Sequence, residues 1–370
     1  MRIEPITYPT SFRGVFAKVL DRHLPLLEQS REELVAATVH EGLQPYYDWL
    51  IRESRQPSFL LVPLQFLATA DAVGGVSPLH EQYLPALMLL MEVTAISDDT
   101  IDRSLQRSGR ATFAAHFGEA AATPLSSALS AMAVARAYEC NPSIAEHTVQ
   151  FLMNVAGFEL WERTNIYPDP SLFMAWLDHR YEQTRLSPTV SIDAALLLHG
   201  KPGLPTVVSK SLARIIQDVD DIVNILENRE VDGENNDLKM GVVTRPMLEA
   251  FDRRPALLDD LERLWKWYRP LKNLSIRDFD IARRMVDAES SRDLEIITEA
   301  VVTLGIPNTL KLLVKDIDNC VNATPKALRT LVFGIAATFV ERLRRCMHSN
   351  VLEQVFRQLD TRHEDVWQTP

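Results

Sequence analysis

The chain has 370 residues, of which 46% are apolar and 24% are charged, and its formal net charge at pH 7 is −11. This length allows a large core, and the composition excludes a disordered or collagen-like chain. The acidic balance argues against nucleic acid as a partner, because a phosphate backbone binds to a basic face. A phosphorylated small molecule is still compatible with an acidic site that binds Mg²⁺.

Neither a secretory signal nor a membrane span is expected. The amino-terminal residues contain no continuous apolar segment, so we expect a cytosolic location. The longest apolar run, residues 83–96, is interrupted by Glu92 and is too short to cross a bilayer.

Apolar residues recur with helical rather than strand-like spacing, which predicts an all-α fold. The first strongly apolar helix is predicted over residues 84–102 and is expected to run through the middle of the fold. One side of this helix carries Met91, Thr94, Ala95, Asp98 and Asp102. Proline-containing turn signals near residues 141, 167, 199 and 305 separate the helices that follow.

A second amphipathic helix is predicted around residues 212–226. Its apolar positions, spaced by three and four residues, form one stripe: Leu212, Ile215, Ile216, Val219, Ile222, Val223 and Leu226. Gln217, Asp220, Asn224 and Asn228 fall on an adjoining face of the same helix. We expect that face to form the wall of a cavity.

Two acidic strings have the same spacing, because DDTID begins at residue 98 and DDIVN begins at residue 220. Like charges at positions i and i+4 of a helix repel each other unless water or a cation relieves them. Either string alone is typical of a solvated helix end. Two such helix ends that face each other would hold Mg²⁺, which prefers oxygen ligands and retains several waters.

These strings also carry a family resemblance. DDTIDRSLQRSGRAT, residues 98–112, resembles the first aspartate-rich motif of trans-isoprenyl diphosphate synthases, and IIQDVDDIVN, residues 215–224, resembles the second. The resemblance covers residues 50–246. It implies that residues 1–370 form a single domain, the class I isoprenoid synthase helical bundle around a central active-site cavity, with further helices over residues 247–370. It also implies a homodimer.

Several departures from the family pattern concern the site for a second substrate, isopentenyl diphosphate. The family's basic Gly-Gly-Lys-Arg-x-Arg-Pro string is replaced by IRESRQP at residues 51–57, which puts a carboxylate where a phosphate needs a cation. Three further differences are an arginine pair that becomes Arg107 and Ser108, a Lys-Thr pair that becomes Ser187 and Pro188, and a lysine that becomes Val242.

The remaining departure replaces polar groups by aromatic ones. The family's Gly-Gln-x-x-Asp is aligned here with GFELWER, residues 157–163, so that Phe158 and Trp161 occupy the polar positions. Retention of the diphosphate site without the acceptor site implies a class I terpene cyclase, similar to fungal humulene synthases. Such an enzyme would convert farnesyl diphosphate to a sesquiterpene, with Phe158 and Trp161 stabilising the carbocation. Ordinary core packing is the alternative role for these two rings.

The resemblance also implies a set of site residues. Three Mg²⁺ ions would be held by Asp98, Asp102, Asp220 and Asn224. Arg180, with Arg185 as the second choice, would act as the catalytic sensor of the diphosphate, and a solvent-facing ion pair is the alternative for each. The other expected substrate contacts are Arg107, Lys239, Arg245 and Thr94. Asp218 and Asp237 are interpreted as supporting or solvated residues.

Two other functions are open. One is a prenyl diphosphate synthase or prenyltransferase with an altered acceptor site, and the other is a non-catalytic regulatory subunit of such an enzyme. Regulatory subunits tend to lose their aspartates, whereas this chain retains five of the six acidic positions in its two motifs. A product formed from farnesyl diphosphate alone would distinguish the cyclase from the synthase.

Overall fold

The computed structural model describes residues 15–53, 61–107, 110–227 and 237–347, together with Glu353 and Val355. These residues are almost entirely helical, as the sequence predicts. The α-helices are α1 (Val15–Ala36), α2 (Gln44–Glu53), α3 (Leu61–Val73), α4 (Pro78–Ile101), α5 (Phe113–Phe117), α6 (Glu119–Cys140), α7 (Pro142–Asn165), α8 (Phe173–Leu198), α9 (Thr206–Glu227), α10 (Asp237–Met240), α11 (Arg245–Arg253), α12 (Leu257–Tyr268), α13 (Ile276–Ala300), α14 (Ile306–Ala323) and α15 (Arg329–Cys346).

Short elements connect or extend these helices. Among the described residues, 3₁₀ turns occupy Pro170–Leu172, Arg269–Asn273 and Lys326–Leu328, and a π-helical turn, Val301–Gly305, joins α13 to α14. Strands β1 (Gln106–Arg107) and β2 (Arg110–Ala111) form a two-stranded antiparallel hairpin in which Arg107 pairs with Arg110.

Helix α4 runs through the centre of the fold, as its composition predicts. It is buried nearly all round, with fully buried side chains in succession from Tyr83 to Leu90 apart from Met88. It packs mainly against α6 and also against α3, α7 and α8. Ser77 caps its amino terminus and Pro78 occupies the first turn, where the missing N–H of proline removes no helical hydrogen bond.

Helix α9 buries the apolar stripe that its spacing predicts. Its residues from Leu212 to Val223 that belong to the stripe are at most 6% exposed, and Leu226 is partly buried. Burial of each such side chain stabilises the fold by roughly 1.5–3 kcal/mol. The stripe packs against α8, α14 and α15, so the carboxy-terminal helices complete the core around α9.

One continuous helical stretch, Ile276–Ala323, is long and apolar enough to cross a membrane by length and composition alone. This is weak evidence for a span, because buried core helices of soluble proteins pass the same test. Leu310, Leu313 and Ile317 of α14 are buried, and α14 packs against α9. The stretch therefore contributes to the helical core.

The π-helical turn packs closely against the first turn of α11, which gives a stability prediction. A Cβ atom at Gly305 would overlap the carbonyl oxygen of Pro246 and lie 2.8 Å from its carbonyl carbon. Because backbone atoms cannot move aside cheaply, we expect Gly305→Ala to lower the free energy of unfolding by about 3 kcal/mol, measured by urea denaturation.

Gly157 provides the matched control for this substitution. It is a solvent-exposed residue in the middle of α7, and a Cβ atom there would meet nothing within 4 Å. Gly157→Ala should therefore stabilise the protein by about 0.5–1 kcal/mol through reduced backbone entropy in the unfolded chain. Equal urea midpoints for Gly305→Ala and the unsubstituted protein would contradict the close packing of the π turn.

Candidate active site

Residues of both acidic strings line one cavity of about 480 Å³. Its lining residues are Asp98, Asp99, Asp102, Ser104, Gln106, Arg107, Glu162, Arg180, Gln183, Thr184, Gln217, Asp220, Asn224, Asp237, Met240 and Val242. They come from α4, β1, α7, α8, α9 and the segment that begins with α10. Of the predicted cavity wall on α9, Gln217, Asp220 and Asn224 line the cavity, and Asn228 lies outside the described residues.

The end of α4 is held at a defined point beside the cavity. Asp102 is the C-cap, Arg103 has a left-handed backbone with φ of +53°, and the N–H of Ser104 donates to the carbonyl of Asp99 at 2.9 Å. This is the Schellman arrangement that terminates many helices. The Nε of Arg103 also donates to the carbonyl of Leu274 at 3.0 Å. The first acidic string therefore leaves the helix in a fixed orientation.

Arg107 on strand β1 binds the first acidic string. Its guanidinium donates to a carboxylate oxygen of Asp98 and, at 2.8 Å, to Oδ1 of Asp99. Asp98 is 40% exposed in its side chain, whereas Asp99 is 7% exposed. Burial raises the pKa of Asp99 to about 6, although the charge of Arg107 opposes that shift.

The two adjacent aspartates of the second acidic string face different directions, one the cavity and the other the interior. Asp220 faces the cavity and forms an ion pair with Arg342 of α15. Asp221 faces the interior, where Nη2 of Arg180 and Nε2 of Gln217 donate to its Oδ1 at 3.0 and 2.6 Å. Burial raises the pKa of Asp221 to about 8.

Asp218, one turn earlier, is also buried and is held by two residues outside the cavity. The hydroxyl of Tyr181 donates to its Oδ1 at 2.7 Å, and Nε of Arg245 lies 3.5 Å from the same oxygen. The Arg245 guanidinium also stacks 5.0 Å above the Tyr181 ring. Asp218 therefore anchors α9 to Tyr181 and Arg245 on the side away from the cavity. Because it is fully buried, the alternative of a solvated carboxylate is wrong.

Arg180 forms the cationic floor of the cavity. Besides Asp221, its guanidinium lies 3.6 Å from Glu162 and 3.9 Å from Asp237, and its side chain is only 12% exposed. The three carboxylates come from α7, α9 and α10. Arg180 thus connects three helices at the site through one nearly buried charge.

The remaining carboxylates of the site repel one another. The pKa of Asp102 is raised well above its usual range by burial and then by the charges of Asp98, Glu162 and Glu159. Burial and Asp98 likewise raise the pKa of Glu159 to about 8. A buried acidic cluster of this kind is stabilised when a cation binds.

The donor atoms fit a hard divalent cation. Oδ2 of Asp221 and Oδ2 of Asp237 are buried and accept no hydrogen bond. Within the described ranges, no three or more His, Cys, Asp or Glu side chains are arranged to hold one ion by themselves. Mg²⁺ typically binds one or two carboxylates and takes its other ligands from water and phosphate. The assignment of Asp98, Asp102, Asp220 and Asn224 as metal ligands stays a prediction.

Four of the predicted substrate contacts have partners away from the cavity. Arg185 pairs with Glu182 at 2.7 Å, Lys239 with Asp287 at 2.9 Å, and Arg245 with Asp218 and Asp316 at 3.5 and 3.6 Å, while the Thr94 hydroxyl donates to the Met91 carbonyl at 2.9 Å. None of the four is among the lining residues. Their predicted contacts with substrate stay predictions, and the geometry gives each side chain another role.

Phe158 and Trp161 also lie outside the set of lining residues. Their rings pack against His179, with centroids 4.7 and 3.7 Å from the imidazole. The same helix presents Glu162 to the cavity, and Glu159 accepts a hydrogen bond from Gln183. The polar positions are therefore retained one residue further along than the alignment on Gly157 predicts, and a cation-stabilising role for the two rings stays a prediction.

A similar shift affects α8. The cavity is lined by Gln183 and Thr184 rather than by Ser187 and Pro188, and the Thr184 hydroxyl donates to Gln217. A Lys-Thr pair would reach the cavity at 183 and 184, so the threonine is kept and only the lysine is replaced. Val242, where the family has a lysine, does line the cavity. The departures over residues 54–57 and at Ser108 lie outside the described residues.

An all-helical bundle in which two acidic helix edges face one cavity defines the class of isoprenoid synthases, and comparison with known proteins supports this class. A family model described as polyprenyl synthetase matches residues 61–273, more than half of the chain. The chain belongs to the polyprenyl synthetase family, whose members act on prenyl diphosphates. No curated protein matches the chain.

Solved structures with the same fold cover nearly the whole chain. A decaprenyl diphosphate synthase from Rhodobacter capsulatus has a TM-score of 0.70 at 17% identity, covering 90% of this chain and 99% of its own. A polyprenyl synthase from Caulobacter crescentus, complexed with calcium and isoprenyl diphosphate, has a TM-score of 0.65 at 17% identity, covering 88% and 96%. A geranylgeranyl pyrophosphate synthase from Lactobacillus brevis has a TM-score of 0.62 at 16% identity, covering 92% and 97%. The predicted isoprenoid synthase fold is confirmed.

Proposed function

We propose that this protein is a Mg²⁺-dependent enzyme that ionises a prenyl diphosphate in the acidic cavity. The observation that carries the proposal is that DDTID and DDIVN line the same cavity from opposite helices. Asp98, Asp102, Asp220 and Asn224 would hold Mg²⁺, which neutralises charge on a departing diphosphate. We propose three ions, as in the sequence-based prediction.

The chain's own cations are arranged to bind a diphosphate. Arg180 is held at the floor by three carboxylates, so its guanidinium is oriented before substrate binds. Arg107 lies at the partly exposed rim, where a diphosphate can replace Asp98 as its partner. Both arginines offer the planar donor pairs that suit phosphate oxygens.

Transfer of the prenyl group to an acceptor is the fate of the carbocation that the comparisons favour. The similar solved structures are prenyl diphosphate synthases, and the chain spans nearly the full length of each. The polar positions retained on α7 and Thr184 on α8 support this function, because the departure on α7 disappears and the departure on α8 is reduced to the loss of one lysine.

Cyclisation of farnesyl diphosphate to a sesquiterpene, with humulene as one candidate product, is the second candidate. It is favoured by the small number of cationic side chains on the described cavity wall. Among the described lining residues these are Arg107 and Arg180, and both are engaged by carboxylates. A second diphosphate therefore finds little positive charge on this part of the wall, whereas an internal double bond needs none.

One assay separates these candidates. The purified protein is incubated with Mg²⁺ and geranyl, farnesyl or geranylgeranyl diphosphate, each with and without isopentenyl diphosphate, and both the organic products and free diphosphate are measured. A longer prenyl diphosphate that forms only with isopentenyl diphosphate identifies a synthase. A hydrocarbon that forms without it identifies a cyclase. Absence of diphosphate release under every condition would overturn the proposal.

Asp98→Ala is the variant that tests for a non-catalytic regulatory subunit. We expect it to lose diphosphate release in the same assay, because it removes a carboxylate of the first acidic string. Unchanged product formation by Asp98→Ala would show that this chain does not carry the chemistry.

Homodimeric assembly and a cytosolic location stay predictions. One face of α7 exposes the apolar side chains of Val149, Met153 and Leu160, which are 40%, 63% and 65% exposed. We propose this face as the surface that two copies share. Apolar side chains grouped on one surface are typical of contact sites between proteins.

A further inference from the structure

The short segment 237–242 forms one wall of the cavity. Its residues that line the cavity are Asp237, Met240 and Val242. The N–H of Val242 donates to the carbonyl of Asp237 at 2.9 Å, which closes the segment into a compact turn. Leu238 and Lys239, between the lining residues, are buried. Their backbone carbonyls are held by residues outside the cavity.

Tyr167 binds this segment at two points. Its backbone N–H donates to the carbonyl of Gly241 at 2.9 Å, and its hydroxyl donates to the carbonyl of Lys239 at 2.8 Å. Tyr167 itself has a left-handed backbone with φ of +59°, which is uncommon for a bulky residue. Such a conformation persists where the surrounding structure holds it, often next to a functional site.

Gly241 is required for this contact. Its φ is +74°, and a Cβ atom there would lie 2.6 Å from the backbone nitrogen of Tyr167 and closer still to its ring. The two left-handed residues therefore fit against each other only because one of them is glycine.

Two further contacts hold the outer side of the segment. Nε1 of Trp265 donates to the carbonyl of Leu238 at 2.7 Å, and its ring packs edge-on against Tyr167 with centroids 5.6 Å apart. Nζ of Lys239 lies 2.9 Å from Oδ1 of Asp287. Trp265 is 1% exposed and Tyr167 is 7% exposed, so the hydrogen bonds that these two side chains donate are shielded from water.

We infer that Tyr167 and Trp265 are positioning residues that fix the backbone of segment 237–242 and so hold the Asp237 carboxylate at the metal–diphosphate site. This inference rests on the proposed function. Neither aromatic residue lines the cavity, and both act through backbone carbonyls of the segment. Lys239 contributes through Asp287, which explains its burial without a substrate contact.

Tyr167→Phe tests the inference, because it removes the hydroxyl donor and retains the ring. The binding of inorganic diphosphate is measured by titration calorimetry in the presence of saturating Mg²⁺, which needs no turnover. We expect the dissociation constant to rise about 10–100-fold, the effect typical of losing an outer group that supports a metal site. Trp265→Phe, which removes the donor to Leu238, should act in the same direction and serves as the second variant.

Tyr47→Phe is the matched control. The Tyr47 hydroxyl donates to the carbonyl of Leu34 at 2.7 Å, and the residue is fully buried in α2, which contributes no lining residue. Both Tyr→Phe substitutions should lower the melting temperature to a similar extent, because each leaves one buried carbonyl without its donor. Tyr47→Phe should leave the affinity for diphosphate within about twofold of the unsubstituted protein.

The outcomes separate the inference from the proposed function. Weaker diphosphate binding by Tyr167→Phe and Trp265→Phe, with unchanged binding by Tyr47→Phe, supports positioning. Equal affinity for Tyr167→Phe, Tyr47→Phe and the unsubstituted protein overturns it, while the proposed function stands. Failure of the unsubstituted protein to bind diphosphate with Mg²⁺ overturns the proposed function and the inference together.

Discussion

Asp102→Asn is expected to produce an inactive protein that is more stable than the unsubstituted one. Asp102 lines the cavity, and after burial the largest influences on its pKa are the negative charges of Asp98, Glu162, Glu159 and Asp237, which outweigh its attraction to Arg180. Loss of this carboxylate, a proposed Mg²⁺ ligand, should lower the rate of diphosphate release by about 10³-fold. Removal of its charge should raise the free energy of unfolding by about 0.5–2 kcal/mol, as is common when an electrostatically strained site residue is replaced.

The pH dependence of this gain follows from the raised pKa of Asp102. A carboxyl whose pKa is higher in the folded than in the unfolded state contributes stability below its unfolded pKa and loses it as the pH rises. The gain from asparagine should therefore be present at pH 7 to 8, measured in EDTA by thermal unfolding, and should vanish near pH 4. Asp178, exposed on α8, provides the control, since Asp178→Asn should change neither activity nor stability. A less stable Asp102→Asn protein at pH 8 would contradict the electrostatic description of the cavity.

The helices that build the site could be predicted from the sequence because their signals are local. The apolar run of α4 and the three-and-four spacing of α9 each specify which side of a helix is buried. Once both helices are placed, one residue of each acidic string, Asp98 and Asp220, has its position beside the buried side fixed, where it faces the cavity. The same reasoning predicts that Asp220 and Asn224 lie beside the apolar stripe, where the structure has them.

Residues that depend on contacts distant in sequence could not be predicted in this way. Arg342 pairs with Asp220 across 122 residues, and no motif marks it. On α7 a shift of one residue turns a side chain by about 100° around the helix. Alignment on Gly157 therefore selects Phe158 and Trp161 instead of Glu159 and Glu162, the acidic residues that face the site. The Glu-x-x-Glu spacing in an apolar helix was the signal that could have found Glu159 and Glu162.

The region around segment 237–242 shows a second reason why some predicted substrate contacts differ from the contacts in the structure. Lys239 and Arg245 are cations close in sequence to the second acidic string, so proximity along the chain predicts that they reach the substrate. Carboxylates that arrive from distant helices, Asp287 of α13 and Asp316 of α14, bind them instead. Which of several nearby cations reaches a cavity depends on the packing of helices that the motif does not contain.

Arg180→Met is expected to have the opposite effect on stability from Asp102→Asn, although both residues belong to the same cavity. Arg180 lies near Asp221, Glu162 and Asp237, and its charge lowers the pKa that burial would otherwise raise further in each of them. When one partner of a buried ion pair is removed, the charge that stays behind lowers the free energy of unfolding by about 3–5 kcal/mol. We expect a loss of that size at pH 8.5, measured by urea denaturation in EDTA.

The loss should shrink as the pH is lowered to 6. Without Arg180 the pKa of each of the three carboxyls rises further, so the folded protein takes up protons, and protonated carboxyls no longer need a cationic partner. Arg185→Met on the same helix is the control, because Arg185 and Glu182 are 31% and 32% exposed and such a surface pair contributes about 0–1 kcal/mol. A loss for Arg180→Met that is independent of pH would mean that the arginine stabilises the bundle through packing of its aliphatic stem, and that the carboxylates around it do not share its charge.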